Sequence, residues 1–190
     1  MILFCHADPR VPFLWESASQ PPARWHREGE GPVHYLADTP DGAWAEFLRH
    51  EEIHEPEDLE GISRALWAIE VPEPCKEQPD LSDSVLFGDP ASYPECQAEA
   101  ARLAAQGLKG FRAPSAALLP NGASGSIVDG GLHPGPARNG EVHILFGRRP
   151  DLIGWKVVEG GRPPEELLPR VRHFEPAGGG VGVGGVSGDL

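Results

Sequence analysis

Two stretches of the chain repeat apolar residues at the spacing of an amphipathic helix. In the first, Thr-Pro-Asp at 39–41 supplies an N-cap, a proline at the first helical position and an acidic first turn. Trp44, Phe47 and Leu48 then fall on one face of that segment. The second stretch covers 94–106 and is followed by a glycine, a common helix stop. The pattern therefore predicts two helices.

Short runs rich in β-branched and aromatic residues lie around these helices, and turn residues bound them. They predict strands at 32–38, 62–71, 108–119, 142–146 and 153–158. Because helices separated by several short strands are typical of mixed domains, we expect an α+β fold of short strands and a few helices in one compact domain.

Three segments carry little regular pattern. The first twenty residues combine prolines with Phe13, Leu14 and Trp15, which predicts an extended lead-in packed by its aromatic side chains. A glycine-rich stretch at 122–140 predicts a surface loop near the site. The segment 177–190 is nearly all glycine and valine and predicts a flexible tail, which leaves a domain at 1–176.

Charge and cysteine usage narrow the class of protein. The 190 residues carry 16 Lys and Arg against 29 Asp and Glu, a formal charge of −13, and contain no basic run. Binding to a nucleic-acid backbone is therefore not expected. The N-terminus lacks the apolar length of a signal peptide or membrane span. Three scattered cysteines do not form a disulfide framework, so we expect a cytoplasmic protein.

Arg24, Tyr35 and Glu46 fall on three successive predicted elements and offer complementary chemistry. A guanidinium is a permanent bidentate clamp for phosphate. A tyrosine ring stacks on planar heterocycles. A carboxylate opposes the positive charge that develops when a glycosidic bond breaks. Each residue taken singly is more often structural, and only their combination predicts a site for a nucleotide glycoside.

The segments that carry these residues resemble the RES-domain family, which is named for its Arg, Glu and Ser. The resemblance is sharpest in Ala-Arg-Trp-His at 23–26, in the segment 31–40, and in Ala-Glu-Phe-Leu-Arg-His at 45–50. The third named residue corresponds to Ser115, in Arg-Ala-Pro-Ser-Ala at 112–116. The resemblance extends more weakly over roughly 10–174.

This resemblance implies an ADP-ribosyltransferase-like fold and an activity on NAD+. Many RES proteins are toxins of bacterial toxin–antitoxin pairs that degrade NAD+ by hydrolysis or phosphorolysis. Carried over residue by residue, Arg24 holds the NAD+ phosphates, Tyr35 stacks near the nicotinamide or its ribose, and Glu46 acts at the anomeric carbon. Ser115 contacts the nicotinamide-ribose end, and His26, where the family often has Asn, joins the substrate-binding set. NAD+ is the substrate, and no metal or further cofactor is implied.

Several alternatives stay open at this point. Water, inorganic phosphate or a protein could accept the ADP-ribosyl group, and the last case makes the chain a protein ADP-ribosyltransferase. The segment after Ser115 departs from the family pattern, which leaves room for a non-enzymatic binding module. Ser124 and Ser126 are weaker rivals of Ser115. For a toxin, the resemblance implies a helix-turn-helix antitoxin as the partner.

A competing metal motif overlaps the end of the first predicted helix. His50-Glu51-Glu52-Ile53-His54 matches the zinc-protease pattern His-Glu-x-x-His, in which two imidazoles one helical turn apart bind Zn²⁺. A proline follows at once, further acids crowd the motif, and no clear third ligand follows. A solvated acidic helix end is the favoured interpretation, and a zinc hydrolase is a remote alternative.

Overall fold

Eight strands build the sheets of the computed structural model, which describes residues 1–17 and 19–174. Six of these strands form one sheet and two form a separate hairpin. In chain order they are β1 (Ile2–Ala7), β2 (Val33–Ala37), β3 (Arg64–Glu70), β4 (Gly110–Pro114), β5 (Ser126–Val128), β6 (Leu132–Pro134), β7 (Glu141–Phe146) and β8 (Ile153–Gly161).

The large sheet has the order β4-β7-β2-β1-β3-β8, and all of its neighbouring strands are antiparallel. Pairing is continuous along β1 and β3 and along β2 and β7. Between β1 and β2, however, the register contains a single pair, Phe4 with Ala37. The sheet is therefore divided near its middle, and the site described below lies at this division.

In the described part of the chain, three α-helices accompany the sheet: α1 (Pro40–His50), α2 (Asp83–Leu86) and α3 (Tyr93–Ala105). Helix α1 begins as the sequence predicts, because the Thr39 side chain accepts a hydrogen bond from the Gly42 N–H at 2.9 Å. Short 3₁₀ segments complete the described secondary structure at Pro56–Leu59, Pro90–Ser92 and Glu165–Arg170.

Side chains alternate along each strand, so the two faces of the sheet have separate cores. One face packs against α1 and α3 through Val33 and Ala37 of β2. The opposite face carries Leu36 of the same strand and is covered by Phe13 and Leu14 from the irregular segment after β1. The α+β class and the single domain are thus confirmed, as are both predicted helices. All five predicted strands form, but the strand predicted at 108–119 ends at Pro114, so Ser115 lies in the turn that follows it.

The predicted lead-in over the first twenty residues is wrong in its first part. Residues Ile2–Ala7 form a central strand, hydrogen-bonded along its whole length to β3. This strand lacks the regular alternation of apolar and polar residues that predicts a half-buried strand, and it contains Cys5 and His6. The second part of the prediction is confirmed for Phe13 and Leu14, which pack against the sheet, whereas Trp15 is exposed.

The glycine-rich stretch at 122–140 contains the exposed hairpin β5–β6 instead of being irregular throughout. Its last residue nevertheless reaches the site, because the Gly140 carbonyl accepts a hydrogen bond from the Ser115 N–H at 2.9 Å. The predicted tail at 177–190 lies outside the described residues. Within the described part of the chain, none of the helices has the length and apolar character needed to cross a membrane.

Candidate active site

A cavity of about 300 Å³ opens where β1 and β2 separate. Its wall includes three consecutive residues of β1, Phe4 to His6, and all five residues of β2. Because consecutive strand residues point to opposite faces, a cavity lined by all of them must lie between the two strands. Arg24, Glu46 and His50 also line it. The volume is at the lower end of the range for small-molecule sites.

Glu46 and Ser115 meet at the edge of this cavity. The Ser115 hydroxyl donates to Glu46 Oε1 at 3.1 Å, and Ser115 itself is buried, at 4% exposure. The same Oγ accepts from the N–H groups of Ala117 and Leu118, at 3.2 Å each. The turn after β4 therefore orients the serine, and the serine orients the carboxylate.

The second oxygen of Glu46 faces a histidine on its own helix. His50 Nε2 lies 3.9 Å from Glu46 Oε2, at the i,i+4 spacing. The His50 side chain is half exposed and that of Glu46 is about one quarter exposed. A protonated His50 thus adds a weak, solvent-screened attraction, whereas Ser115 provides the defined hydrogen bond to the carboxylate.

Tyr35 lies on β2, and its phenol is held by the segment that contains Arg24. The Tyr35 oxygen accepts from the Trp25 N–H at 3.1 Å and lies 2.9 Å from His26 Nδ1. Burial raises the pKa of Tyr35 above its ordinary value, and burial likewise lowers the pKa of His26. A neutral imidazole can accept a hydrogen bond from the phenolic O–H. His26 contacts the Tyr35 hydroxyl, and it is not among the residues that line the cavity.

Arg24 is buried, at 7% exposure, and points toward the segment between α2 and α3. Its Nη1 donates to the Val85 carbonyl at 3.2 Å and its Nη2 to the Gly88 carbonyl at 2.7 Å. The guanidinium also stacks over the ring of Tyr93 at 4.7 Å. Since a guanidinium has five N–H donors, these contacts leave some of them available to an anion.

Two further arginines, which the sequence reasoning missed, lie beside Arg24. Arg49 of α1 donates to the Gly88 carbonyl at 2.8 Å, and Arg172 donates to the Ala116 carbonyl at 3.1 Å. Neither they nor Arg24 form a salt bridge with a carboxylate among the described residues. Arg49 could have been predicted as a neighbour of Glu46, because it follows Glu46 by three residues on the same helix. For Arg172 the sequence carries no comparable signal.

The three guanidiniums create a local positive region in a strongly acidic chain. Burial, followed by the charge of Arg24, lowers the pKa of Arg49 to about 10 and also lowers that of Arg172. Both side chains remain charged at neutral pH. The negative charge of Glu46 opposes this lowering of the pKa at Arg49, and at Arg172 Asp83 does so more than Glu46. The arrangement suits an anion such as pyrophosphate, placed beside one carboxylate.

The overlapping zinc-protease motif does not form the geometry that it requires. Helix α1 ends at His50, Glu51 is its C-cap, and Glu52 has a φ of 53°. His54 therefore lies beyond the helix, where its ring packs on His173 with centroids 4.0 Å apart. The two imidazoles do not share a helical face, and the described residues contain no cluster of three or more metal-ligating side chains.

The structure thus brings the predicted residues together in one place. Arg24, Tyr35 and Glu46 line the same cavity, and Ser115 joins it through Glu46. Ser124 and Ser126, the weaker alternatives to Ser115, lie in the glycine-rich stretch at 122–140. Ser126 is exposed there on β5.

Comparisons with known proteins bear on the fold and the family of the chain. A chain from the crystal structure of the M. tuberculosis MbcT-MbcA toxin-antitoxin complex has a similar fold, with a TM-score of 0.58 at 15% sequence identity. The similarity covers 88% of this chain and 86% of that one. No curated protein matches the chain. A family model described as the RES domain matches residues 5–140. Because this match takes in well over half of the 190 residues, the chain belongs to the RES-domain family.

Proposed function

We propose that this protein cleaves the bond between nicotinamide and ribose in NAD+. The observation that carries the proposal is the hydrogen bond from Ser115 to Glu46 at a cavity that Arg24 and Tyr35 also line. A carboxylate that lines the cavity and has one oxygen fixed by a hydrogen bond suits a reaction whose transition state carries positive charge on a sugar. The family resemblance points to NAD+ as the compound that supplies this sugar.

Each residue has a defined task in this proposal. Glu46 opposes the charge that develops at the anomeric carbon as nicotinamide leaves, and Ser115 keeps the carboxylate in place. Tyr35 presents its ring on β2 to the nicotinamide-ribose end, while Trp25 and His26 fix its hydroxyl. Substrate binding then holds the sugar against the carboxylate, and this fixed orientation increases the rate of cleavage.

The pyrophosphate of NAD+ belongs beside Arg24. Its Nη1 is directed to the Val85 carbonyl, Ser92 Oγ and Cys96 Sγ, and its Nη2 to the Gly88 carbonyl, so the side chain is already fixed. The Nε hydrogen and the second Nη2 hydrogen remain for phosphate oxygens. Arg49 and Arg172 add positive charge behind it. In a chain of net charge −13, this region is where a dianionic linkage is best stabilised.

The test is release of nicotinamide from NAD+ by the purified protein. We expect wild-type turnover, and we expect Glu46→Gln to lower kcat by roughly 100-fold or more, because the amide carries no charge to oppose the sugar cation. Glu51→Gln is the matched control, since it makes the same change at an exposed position five residues along the chain. Equal activity in both variants would contradict the role of Glu46.

The products identify the acceptor. ADP-ribose indicates water, ADP-ribose 1-phosphate formed only with added inorganic phosphate indicates phosphorolysis, and label retained on a protein indicates a protein ADP-ribosyltransferase. A chain that binds NAD+ without turnover is a binding module. Running the assay with and without phosphate separates these cases in one experiment.

We further propose that the protein acts as the toxin of a toxin–antitoxin pair. The support is family membership together with the similar fold of a chain in a toxin–antitoxin complex. Expression should arrest bacterial growth and lower cellular NAD+, and the Glu46→Gln variant should do neither. Growth arrest that persists in this variant would point to a cause other than the proposed cleavage.

A further inference from the structure

The Arg49 side chain connects three segments of the chain that are distant in sequence. It is almost fully buried, at 2% exposure. Its Nη1 donates to the carbonyls of Ala116 and Arg172, the latter at 2.9 Å. Its Nη2 donates to the carbonyls of Phe87 and Gly88, at 3.3 and 2.8 Å. One guanidinium therefore holds four carbonyl groups.

Two of these contacts, at Ala116 and Gly88, connect directly to residues of the proposed site. Ala116 directly follows Ser115, and Arg49 itself follows Glu46 by one helical turn. The Gly88 carbonyl that Arg49 contacts is the same oxygen that accepts from Arg24, at 2.7 Å. Through Arg49, the elements that carry Glu46, Ser115 and Arg24 are joined at a single point.

The position of the shared acceptor is fixed by crowding around Gly88. A Cβ added at this glycine would lie 2.7 Å from the Ser84 carbonyl oxygen and 2.8 Å from Ser92 Oγ. These distances are too short for any other residue without a shift of the backbone. The turn thus presents its carbonyl to both arginines because position 88 has no side chain.

The chemistry of the contact favours arginine over lysine. A planar guanidinium directs several N–H donors in fixed directions, whereas an ammonium has three donors around one atom. Burial lowers the pKa of Arg49 to about 10, so it keeps its charge at neutral pH. That charge is compensated mainly by carbonyl dipoles, since no carboxylate within the described chain forms a salt bridge with Arg49. A buried charge held in this way is costly unless all its hydrogen bonds are made.

We propose that Arg49 is a positioning residue for NAD+ cleavage, which fixes the Ser115 turn and the Gly88 turn against helix α1. The inference rests on the proposed function for its catalytic consequence. Arg49 does not touch the substrate. It sets the distance between the Ser115 hydroxyl and Glu46, and it sets the direction of the Arg24 guanidinium.

The kinetic test compares Arg49→Lys and Arg49→Met with Arg170→Lys. Arg170 is the matched control because it also binds α1, through Asp41 at 2.9 Å, and a carbonyl, that of Gly122, but contacts none of the site residues. For Arg49→Lys we expect kcat to fall roughly 10- to 100-fold, while KM for NAD+ rises less than about threefold. We expect Arg170→Lys to stay within about twofold of wild type in kcat.

The two Arg49 variants also differ from each other in a way that a purely structural role does not explain. Lysine keeps the charge and part of the donor set, so Arg49→Lys should retain more activity per folded molecule than Arg49→Met. Melting temperatures of all three variants give the folded fraction. If Arg49→Met does not fold, Arg49→Lys carries the comparison. Wild-type kcat in folded Arg49→Lys would overturn the proposal.

Amide hydrogen exchange tests the positioning without any turnover. The N–H groups of Ala117 and Leu118 donate to Ser115 Oγ, so their protection reports on the turn. We expect these two amides to exchange at least about tenfold faster in Arg49→Lys than in Arg170→Lys, after correction for overall stability. Equal protection would overturn the positioning role. Absence of wild-type NAD+ cleavage would instead refute the proposed function and leave this measurement valid.

Discussion

Replacing Ser115 by alanine removes a single oxygen atom and thereby tests the proposed site. The change removes the hydroxyl that donates to Glu46 and that accepts from the N–H groups of Ala117 and Leu118. The environment is buried, since Ala117 is 0% and Leu118 2% exposed. Alanine therefore has two separate effects, one on the carboxylate and one on the backbone of the turn.

Both effects can be estimated from the contacts. A hydrogen bond to a charged group contributes about 1.5–3 kcal/mol, and 1.36 kcal/mol corresponds to about a factor of ten in rate. If the bond is fully used in the transition state, kcat falls roughly 10- to 150-fold. Two amides without an acceptor cost at least about 2 kcal/mol of folding free energy. In a chain of this length, that lowers the melting temperature by about 4–8 °C.

The assay is single-turnover and steady-state nicotinamide release, measured well below the melting temperature and normalised to folded protein. Ser126→Ala is the control, since Ser126 is exposed on β5 and away from Glu46. A Ser115→Ala protein with the expected loss of melting temperature but wild-type kcat would refute the reasoning. It would show that Ser115 shapes the turn and does not orient the carboxylate.

Three further predictions follow from the same structure. Burial, and then the charges of Arg64 and His50, lower the pKa of His6 to about 3. The unfolded chain thus binds more protons below about pH 6.5, and stability falls there by up to about 1.4 kcal/mol per pH unit. Urea unfolding at pH 7 and pH 5 should show a smaller drop for His6→Gln than for wild type, and equal drops would contradict this pKa. Thr39→Ala removes the α1 cap and should cost about 1 kcal/mol in the same assay; an unchanged midpoint would argue against the cap. Because α1 ends before His54, EDTA should leave nicotinamide release unchanged, and loss restored by Zn²⁺ would contradict this expectation.

The parts of the fold that were predicted correctly depend on local signals. The start of α1 follows from Thr39 and the proline after it, and the strand at 33–37 follows from its own composition and bounding residues. Strand β1 was missed because its identity depends on β3, which pairs with it from a distance of about sixty residues in the chain. No local pattern marks a strand that contains Cys5 and His6.

The same distinction applies to the candidate site. Arg24, Tyr35 and Glu46 fall close together in the sequence, so their spacing on successive elements could be recognised. The role of Arg49 depends on carbonyl groups at Gly88 and Ala116, which are 39 and 67 residues away. Backbone acceptors carry no residue identity, so contacts of this kind leave no motif in the sequence.

Because β1 and β2 share a single residue pair, binding of a ligand in the cavity between them can be measured through the stability of the sheet. The sheet consists of two three-stranded halves, β4-β7-β2 and β1-β3-β8, each paired along its strands. A molecule seated between the halves contacts both and takes the place of the absent strand pairing. Ligand binding and cooperative unfolding are therefore linked across this division, and thermal denaturation becomes a direct screen for compounds that enter it.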